Sequence, residues 1–127
     1  MRRTTGRKES VKAVVECIAY QINDVLQAMK KDSGIDVQTL CVDGGPTRNR
    51  YLMQFQSNIS NVTVKVPNVE ELSGIGAAYM AEIVVGLFTE KKAFINLQYV
   101  EYHSDIDNAR RKRICDGWKK AISKVIN

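Results

Sequence analysis

The sequence of 127 residues has a single histidine, three cysteines and two prolines. Cys17, Cys41 and Cys115 lie far apart and show no Cys-x-x-Cys spacing, which argues against a disulfide framework or a zinc site. We interpret them as buried, reduced thiols. His103 has no evident partners for a metal site or a catalytic triad, and we interpret it as a surface or satisfied residue.

Long apolar runs are also absent. No stretch approaches the roughly 18 apolar residues of a membrane span, and no apolar run follows Met1 as it would in a signal peptide. We therefore expect a cytoplasmic protein with no membrane partner. Apolar residues still make up 44% of the sequence, which fits one globular domain or a piece of one.

Positive charge is concentrated in two clusters, which comprise Arg2, Arg3, Arg7 and Lys8, and Arg110, Arg111, Lys112 and Arg113. Their eight charges exceed the net charge of +5, so the remaining sequence is net acidic. A nucleic-acid-binding domain is one alternative that such clusters suggest. They lack interleaved aromatic residues, however, and the second falls on a predicted helix with an apolar face. We interpret it as a solvated helix surface and do not expect a nucleic-acid partner.

Hydrophobic periodicity predicts the order α-β-α-β-α-α. The predicted segments are a helix over 9–31, a strand over 35–42, a helix over 49–59, a strand over 62–66, a helix from about 71 to 88 and a final helix over 105–126. Residues 89–104 are predicted to be a loop with a short extended part, and Ile114, Trp118, Ile122 and Val125 to face inward. The order indicates an α/β layered structure. Because two strands make a poor sheet, the whole chain is predicted to be one partial domain whose opening strands lie elsewhere.

The run VDGGPTRN, residues 42–49, is the most informative stretch. A predicted strand ends at Asp43, Gly44 and Gly45 follow, and a predicted helix begins near Asn49. Such a turn exposes backbone N–H groups beside the positive end of a helix, which suits a phosphate-bearing ligand. A Gly-Gly pair after a strand is common in turns and is weak evidence by itself.

Four linked motifs together are far more specific: VKAVVECIAYQINDVLQAM (11–29), VDGGPTRNRYLMQFQSNI (42–59), VEELSGIGAAYMA (69–81) and DGWKKAI (116–122). In this order and spacing the sequence resembles the later part of the C-terminal domain of the FGGY-family carbohydrate kinases, the family of glycerol kinase and xylulose kinase. The resemblance implies part of an actin-like, ribonuclease H-like ATPase lobe and a kinase that phosphorylates a sugar or polyol, with glycerol or xylulose as the first candidates.

The resemblance also assigns residues. Gly45 would present its backbone to the phosphate–ribose region of ATP or ADP, Asn49 would contact the adenosine end, Gly44 would allow close approach, and Asp43 would border the site. Glu16 would have a buried structural role. The catalytic aspartate and most magnesium-associated residues would lie in a first lobe outside this chain. We therefore expect no catalytic residue and no metal ligand here, and no catalysis by the chain alone.

Two partners follow from this interpretation besides the adenine nucleotide. The first is the N-terminal kinase lobe. The second is another copy of the chain, because an unpaired strand edge and uncovered apolar helix faces favour self-association. A non-catalytic module for self-association or protein interaction is therefore the alternative function.

Overall fold

The computed structural model describes residues 4–68, 72–86 and 98–126. Within these ranges the helices are α1 (Arg7–Ser33), α2 (Arg50–Ser60), α3 (Leu72–Val84) and α4 (Asn108–Ile126), and the strands are β1 (Thr39–Cys41), β2 (Thr63–Pro67) and β3 (Tyr99–Tyr102). A single 3-10 turn, Gly45–Arg48, precedes α2. The predicted α/β class is confirmed. The expected helix end at Phe88 lies outside the described residues.

Two glycines cap helix α1: Gly6 lies just before its first residue and Gly34 just after its last. The Glu9 carboxylate accepts a hydrogen bond from the Gly6 backbone N–H at 3.0 Å, which is half of a capping box. At the other end, Gly34 adopts φ 71° and donates its N–H to the Lys30 carbonyl at 2.8 Å. Such left-handed glycines commonly end helices.

The sheet has the order β1-β2-β3. Strand β1 pairs with β2 in parallel, from Thr39 opposite Thr63 to Cys41 opposite Lys65. Strand β3 pairs with β2 in antiparallel fashion. The predicted order with two strands missed this third strand of the sheet, although β3 lies within the short extended part that was predicted for residues 89–104. Most residues of β3 are exposed. Its sequence, YVEY, does not show the alternation of apolar and polar residues by which a half-buried strand is recognised.

The core lies where α1 and α2 pack against β2. Its buried apolar residues are Ala19, Leu52, Met53, Ile59, Val62 and Val64. Two buried polar residues of α2 join the layers. Gln56 donates to the Ala19 carbonyl of α1 at 3.3 Å, and the Ser57 hydroxyl lies 2.6 Å from the Val62 carbonyl and 3.1 Å from that of Tyr102. These bonds pair the Gln56 amide nitrogen and the Ser57 hydroxyl, which would otherwise be costly to bury. The Gln56 Oε1 atom is buried without a hydrogen-bond partner among the described residues.

Two predicted burials and the length of one predicted strand were wrong or incomplete. Val125 was expected to face inward but is 82% exposed. Cys41 is an exposed free thiol, whereas Cys17 and Cys115 are half-buried. Strand β1 covers only the last part of the predicted 35–42 segment, and Ile35 is exposed. Apolar character marked these residues as candidates for burial, but the neighbouring elements described do not cover them.

The exposed side of α1 carries an apolar stripe, formed by Val11, Val14, Ile18, Val25 and Met29. The adjacent side of the same helix packs into the core through Ala19 and Val15. The apolar face of α1 is thus wider than the area that α2 covers. No described helix is long and apolar enough to cross a bilayer.

Candidate functional site

Residues 42–49, which we call the VDGG turn, connect β1 to α2 and are held by hydrogen bonds at both ends. At the start of the turn, the Val42 N–H donates to the Lys65 carbonyl of β2 at 3.0 Å. Within it, the Thr47 N–H and hydroxyl both donate to the Gly44 carbonyl, at 3.1 and 2.6 Å. Gly44 has φ 99° and ψ 174°, a combination available essentially to glycine alone.

Asn49 is the N-cap of α2. Its side-chain oxygen accepts a hydrogen bond from the Leu52 N–H at 3.1 Å, and its carbonyl accepts one from the Met53 N–H. The N–H groups of Arg50 and Tyr51 precede these bonds in the first turn of the helix, where no intrahelical acceptor exists. The positive end of the α2 dipole therefore lies beside the turn.

All four predicted site residues, Asp43, Gly44, Gly45 and Asn49, are exposed in this one turn. A Cβ atom built on Gly45 would meet no atom within 4 Å. The surface beside Gly45 is therefore open to a ligand, and a side chain introduced there would project into that open space. Sequence reasoning placed these residues together because they all lie within the short segment 43–49.

An apolar groove beside Asn49 was missed by sequence reasoning. It has a volume of about 460 Å³ and lies between the start of α1 and the start of α2. Val11, Val15 and Tyr51 supply apolar surface, and Arg7, Lys8 and Lys12 supply positive charge. The only available signal was the basic cluster near the N-terminus, whose proximity to Asn49 depends on the packing of α1 against α2.

Tyr51 links the site to α1. Its hydroxyl donates to the Glu16 carboxylate, which also lies 3.7 Å from the Lys12 ammonium. Burial, followed by the hydrogen bond to Glu16, raises the pKa of Tyr51. Glu16 is half-buried, so the burial expected of it is incomplete, and its structural role stays a prediction that the contact with Tyr51 supports.

Arg48 at the end of the turn and Arg50 just after it line a separate cavity of about 230 Å³, together with Val100 and Tyr102 of β3. Within the described ranges, no group of three or more His, Cys, Asp or Glu side chains is arranged to hold a metal ion. His103 is exposed, and its ring lies 3.3 Å from Glu101 and from Thr63. It is therefore a satisfied surface residue, as predicted.

Arg111 differs from the rest of its basic cluster. It is half-buried, and its guanidinium donates to the Asn58 carbonyl at the end of α2 at 2.6 Å. It also donates to Ser104 Oγ at 2.7 Å and to Asn108. The prediction of a uniformly solvated cluster was therefore wrong at this position, because Arg111 fixes the segment before α4 to α2. Arg2 and Arg3 of the first cluster lie outside the described residues.

Comparison with known proteins identifies the family. The description "FGGY family of carbohydrate kinases, C-terminal domain" matches residues 1–84. The chain belongs to the FGGY family of carbohydrate kinases. Glycerol kinase of Treponema denticola is 44% identical over 126 residues, which cover 98% of this chain and 25% of that protein. The chain thus spans about a quarter of the length of the curated glycerol kinases that it matches.

Solved FGGY kinases share the fold. A crystal structure of Plasmodium falciparum glycerol kinase with ADP superposes with a TM-score of 0.83 at 32% identity, covering 98% of this chain and 25% of that one. A ligand-bound xylulose kinase from Lactobacillus acidophilus gives a TM-score of 0.67 at 16% identity, with the same coverage. The described fold is therefore that of the C-terminal, actin-like lobe of an FGGY kinase, and the chain is similar in sequence to glycerol kinases.

Proposed function

We propose that the VDGG turn binds an adenine nucleotide, ATP or ADP, within a kinase that phosphorylates a sugar or polyol such as glycerol or xylulose. Gly45 presents its backbone to the phosphate–ribose region, and Gly44 keeps the turn close to the ligand. Asn49 contacts the adenosine end, and Asp43 borders the site. The observation that carries the proposal is the open turn at the positive end of α2, in a chain of the FGGY family.

The groove beside Asn49 supports this assignment. Its apolar walls suit a flat base, and its volume of about 460 Å³ lies within the usual range for small-molecule sites. The basic residues Arg7, Lys8 and Lys12 along the groove favour a ligand that carries phosphates. A cytoplasmic location goes with this proposal, because ATP is the expected phosphate donor.

We further propose that the acceptor-binding residues, the catalytic base and most of the magnesium-associated residues belong to a first lobe, which is the partner of this domain. Phosphoryl transfer depends on positioning and on charge stabilisation from both sides of the phosphate. The VDGG turn supplies one wall of such a cleft. The chain of 127 residues by itself would then bind nucleotide but not transfer phosphate.

A titration of the ¹⁵N-labelled chain with ADP tests the nucleotide site. We expect saturable amide shifts around Gly45 and Asn49. Gly45→Val should raise the Kd at least about tenfold, because its side chain would fill the space that the ligand needs. Gly117→Ala, which adds a methyl group at an open position on α4, should leave the Kd unchanged. Shifts elsewhere, or equal affinity of all three proteins, would contradict the proposal.

Two substitutions of Asn49 separate its capping role from ligand contact. Asn49→Asp keeps an oxygen for the Leu52 N–H, so the unfolding free energy should change little, while the lost amide donor and the added negative charge should weaken ADP binding. Asn49→Ala should weaken binding and also lower the unfolding free energy by about 1 kcal/mol. Undiminished ADP binding by Asn49→Asp would show that Asn49 serves only as a cap.

The exposed stripe on α1 favours self-association as a second candidate function. Five apolar side chains that are each more than 40% exposed continue the apolar face of the helix, and burying them against a second copy would remove that surface from water. Light scattering should report a dimer or larger species. Ile18→Glu should shift it toward monomer, whereas Gln27→Glu, on the opposite side of α1, should not. A monomeric parent chain would refute self-association.

A further inference from the structure

Another cavity adjoins the groove beside Asn49, because Lys12 and Tyr51 line both. It has a volume of about 350 Å³ and is enclosed by α1, α2 and α4. Its apolar surface comes from Tyr20, Phe55 and Ile114. The rings of Tyr20 and Phe55 meet edge to face at 5.4 Å, and Tyr20 stacks on Trp118 of α4 at 4.7 Å. The apolar floor is therefore held in place by ring contacts among three helices.

Positive charge enters this cavity from two separate helices. Lys12 of α1 and Arg110 of α4 both line it. The Glu16 carboxylate, which also lines it, already accepts a hydrogen bond from Tyr51 and pairs with Lys12. The Arg110 guanidinium has no ion pair or hydrogen bond with any residue in the described part of the chain. Lys12, Arg110 and Glu16 together give this cavity a net charge of +1.

Polar groups in the wall are held in a fixed orientation. Gln54 Nε2 donates to Asn58 Oδ1 at 2.9 Å and to the His103 carbonyl at 2.7 Å. Asn58 Oδ1 also accepts the Asp105 N–H at 3.1 Å. These bonds identify the oxygen of Asn58 and leave its amide nitrogen as a donor beside the two cations.

We propose that this cavity binds a small organic anion that combines a carboxylate or phosphate group with a flat apolar body. The anionic group binds between Lys12 and Arg110 and accepts a hydrogen bond from Asn58 Nδ2. The apolar body lies against Phe55 and Ile114. A few convergent polar groups over an aromatic floor are the usual composition of a small-molecule site. This site shares Lys12 and Tyr51 with the groove beside Asn49. Gln54, Asn58 and Arg110 line only this cavity of the two, so its ligand does not require a nucleotide at the VDGG turn.

Benzoate, phenyl phosphate and the neutral benzamide are suitable probes for titration of the ¹⁵N-labelled chain. We expect both anions to shift amide signals of Lys12, Gln54, Asn58 and Arg110 in a saturable manner, and benzamide to bind at least about fivefold more weakly. Arg110→Gln should weaken phenyl phosphate binding about tenfold, as expected for loss of one charge-assisted hydrogen bond. Arg113→Gln, an equal charge change at an exposed position of α4 outside the cavity, should have no effect.

Three outcomes would overturn the proposal: equal binding of benzoate and benzamide, equal weakening by Arg110→Gln and Arg113→Gln, or shifts centred on Asn49. Lys12→Gln provides a second variant on a different helix, and because Lys12 also lines the groove beside Asn49, only Arg110→Gln is expected to weaken phenyl phosphate binding without changing ADP binding. The dispersion of the amide spectrum shows whether each variant is folded. Because ADP is titrated separately at Gly45 and Asn49, failure of either site leaves the other to be judged on its own data.

Discussion

Gly44 and Gly45 are adjacent in the turn but meet different requirements. Gly44 has a positive φ of 99°, so its backbone conformation excludes nearly every other residue. Gly45 has no such φ, and nothing lies within 4 Å of an added Cβ. A side chain at Gly44 therefore strains the turn itself, whereas a side chain at Gly45 only occupies space outside it.

This difference predicts that the same substitution destabilises the protein at Gly44 but not at Gly45. Gly44→Ala should lower the unfolding free energy by about 1–3 kcal/mol, and Gly45→Ala should change it by less than about 0.5 kcal/mol. Urea unfolding followed by circular dichroism measures both. Equal losses from the two variants would mean that the turn does not hold Gly44 in the conformation described.

Two tyrosines make the stability sensitive to alkaline pH. Burial, followed by the charges of Glu16 and Cys115, raises the pKa of Tyr20 from 10.0 to about 12, and the pKa of Tyr51 is also raised. The folded protein thus holds these protons more tightly than the unfolded chain does. Their contribution to stability is complete below about pH 10 and is lost as the pH rises toward about 12.

Removing either hydroxyl should flatten this alkaline decline. We expect Tyr51→Phe and Tyr20→Phe to lose less unfolding free energy between pH 10 and pH 12 than the parent protein, in urea titrations at a series of pH values. Tyr99→Phe, a matched change on the exposed strand β3, serves as the control. The explanation fails if all three variants show the slope of the parent.

At the scale of elements, the last helix is fixed to the rest of the domain by a small number of specific contacts. Trp118 of α4 stacks on Tyr20 of α1, and its indole N–H donates to Asp24 at 2.8 Å. Arg111 joins the start of α4 to the end of α2. No residue of α4 is fully buried, so these contacts are especially important for holding the helix in position.

Loss of Trp118 should therefore loosen α4. Trp118→Ala should lower the unfolding free energy by about 3 kcal/mol, and Trp118→Phe by about 1 kcal/mol, because it retains a stacking ring but loses the hydrogen bond. Chemical denaturation measures the free energies, and hydrogen exchange of the α4 amides reports the local effect. Unchanged exchange in Trp118→Ala would show that other contacts hold α4.

At the scale of the whole molecule, the chain corresponds to about a quarter of the length of the glycerol kinases that it matches. Its α1 exposes a wide apolar stripe, and its candidate nucleotide turn is open on the outer side. Both features fit a domain that forms one side of a larger cleft. We therefore expect binding and catalysis to be separable.

The purified chain should bind ADP without phosphorylating an acceptor. Incubation with ATP, magnesium and either glycerol or xylulose should produce no sugar or polyol phosphate above the level without protein, as measured by chromatography of the products. A full-length FGGY kinase assayed in parallel confirms that the conditions support the reaction. Acceptor phosphorylation by the chain would refute the proposal that a first lobe supplies the catalytic base.

The amino-acid sequence alone determined the features that depend on neighbouring residues. The periodicity of residues 9–31 predicts α1, and Gly34 marks its end because a left-handed residue closes a helix locally. Asn49 marks the start of α2 for a similar reason, since an N-cap side chain bonds to the backbone three residues later. The VDGG turn was therefore found from sequence, and the motif order identified the family.

Only the tertiary structure decided what distant segments do together. Strand β3 forms because its backbone pairs with β2, and its exposed side chains carry no pattern that predicts this. The two cavities that Tyr51 lines exist because α1 packs against α2, which brings Glu16 into contact with Tyr51, 35 positions further along the chain. Burial and cavity shape depend on such long-range packing, which local periodicity does not specify.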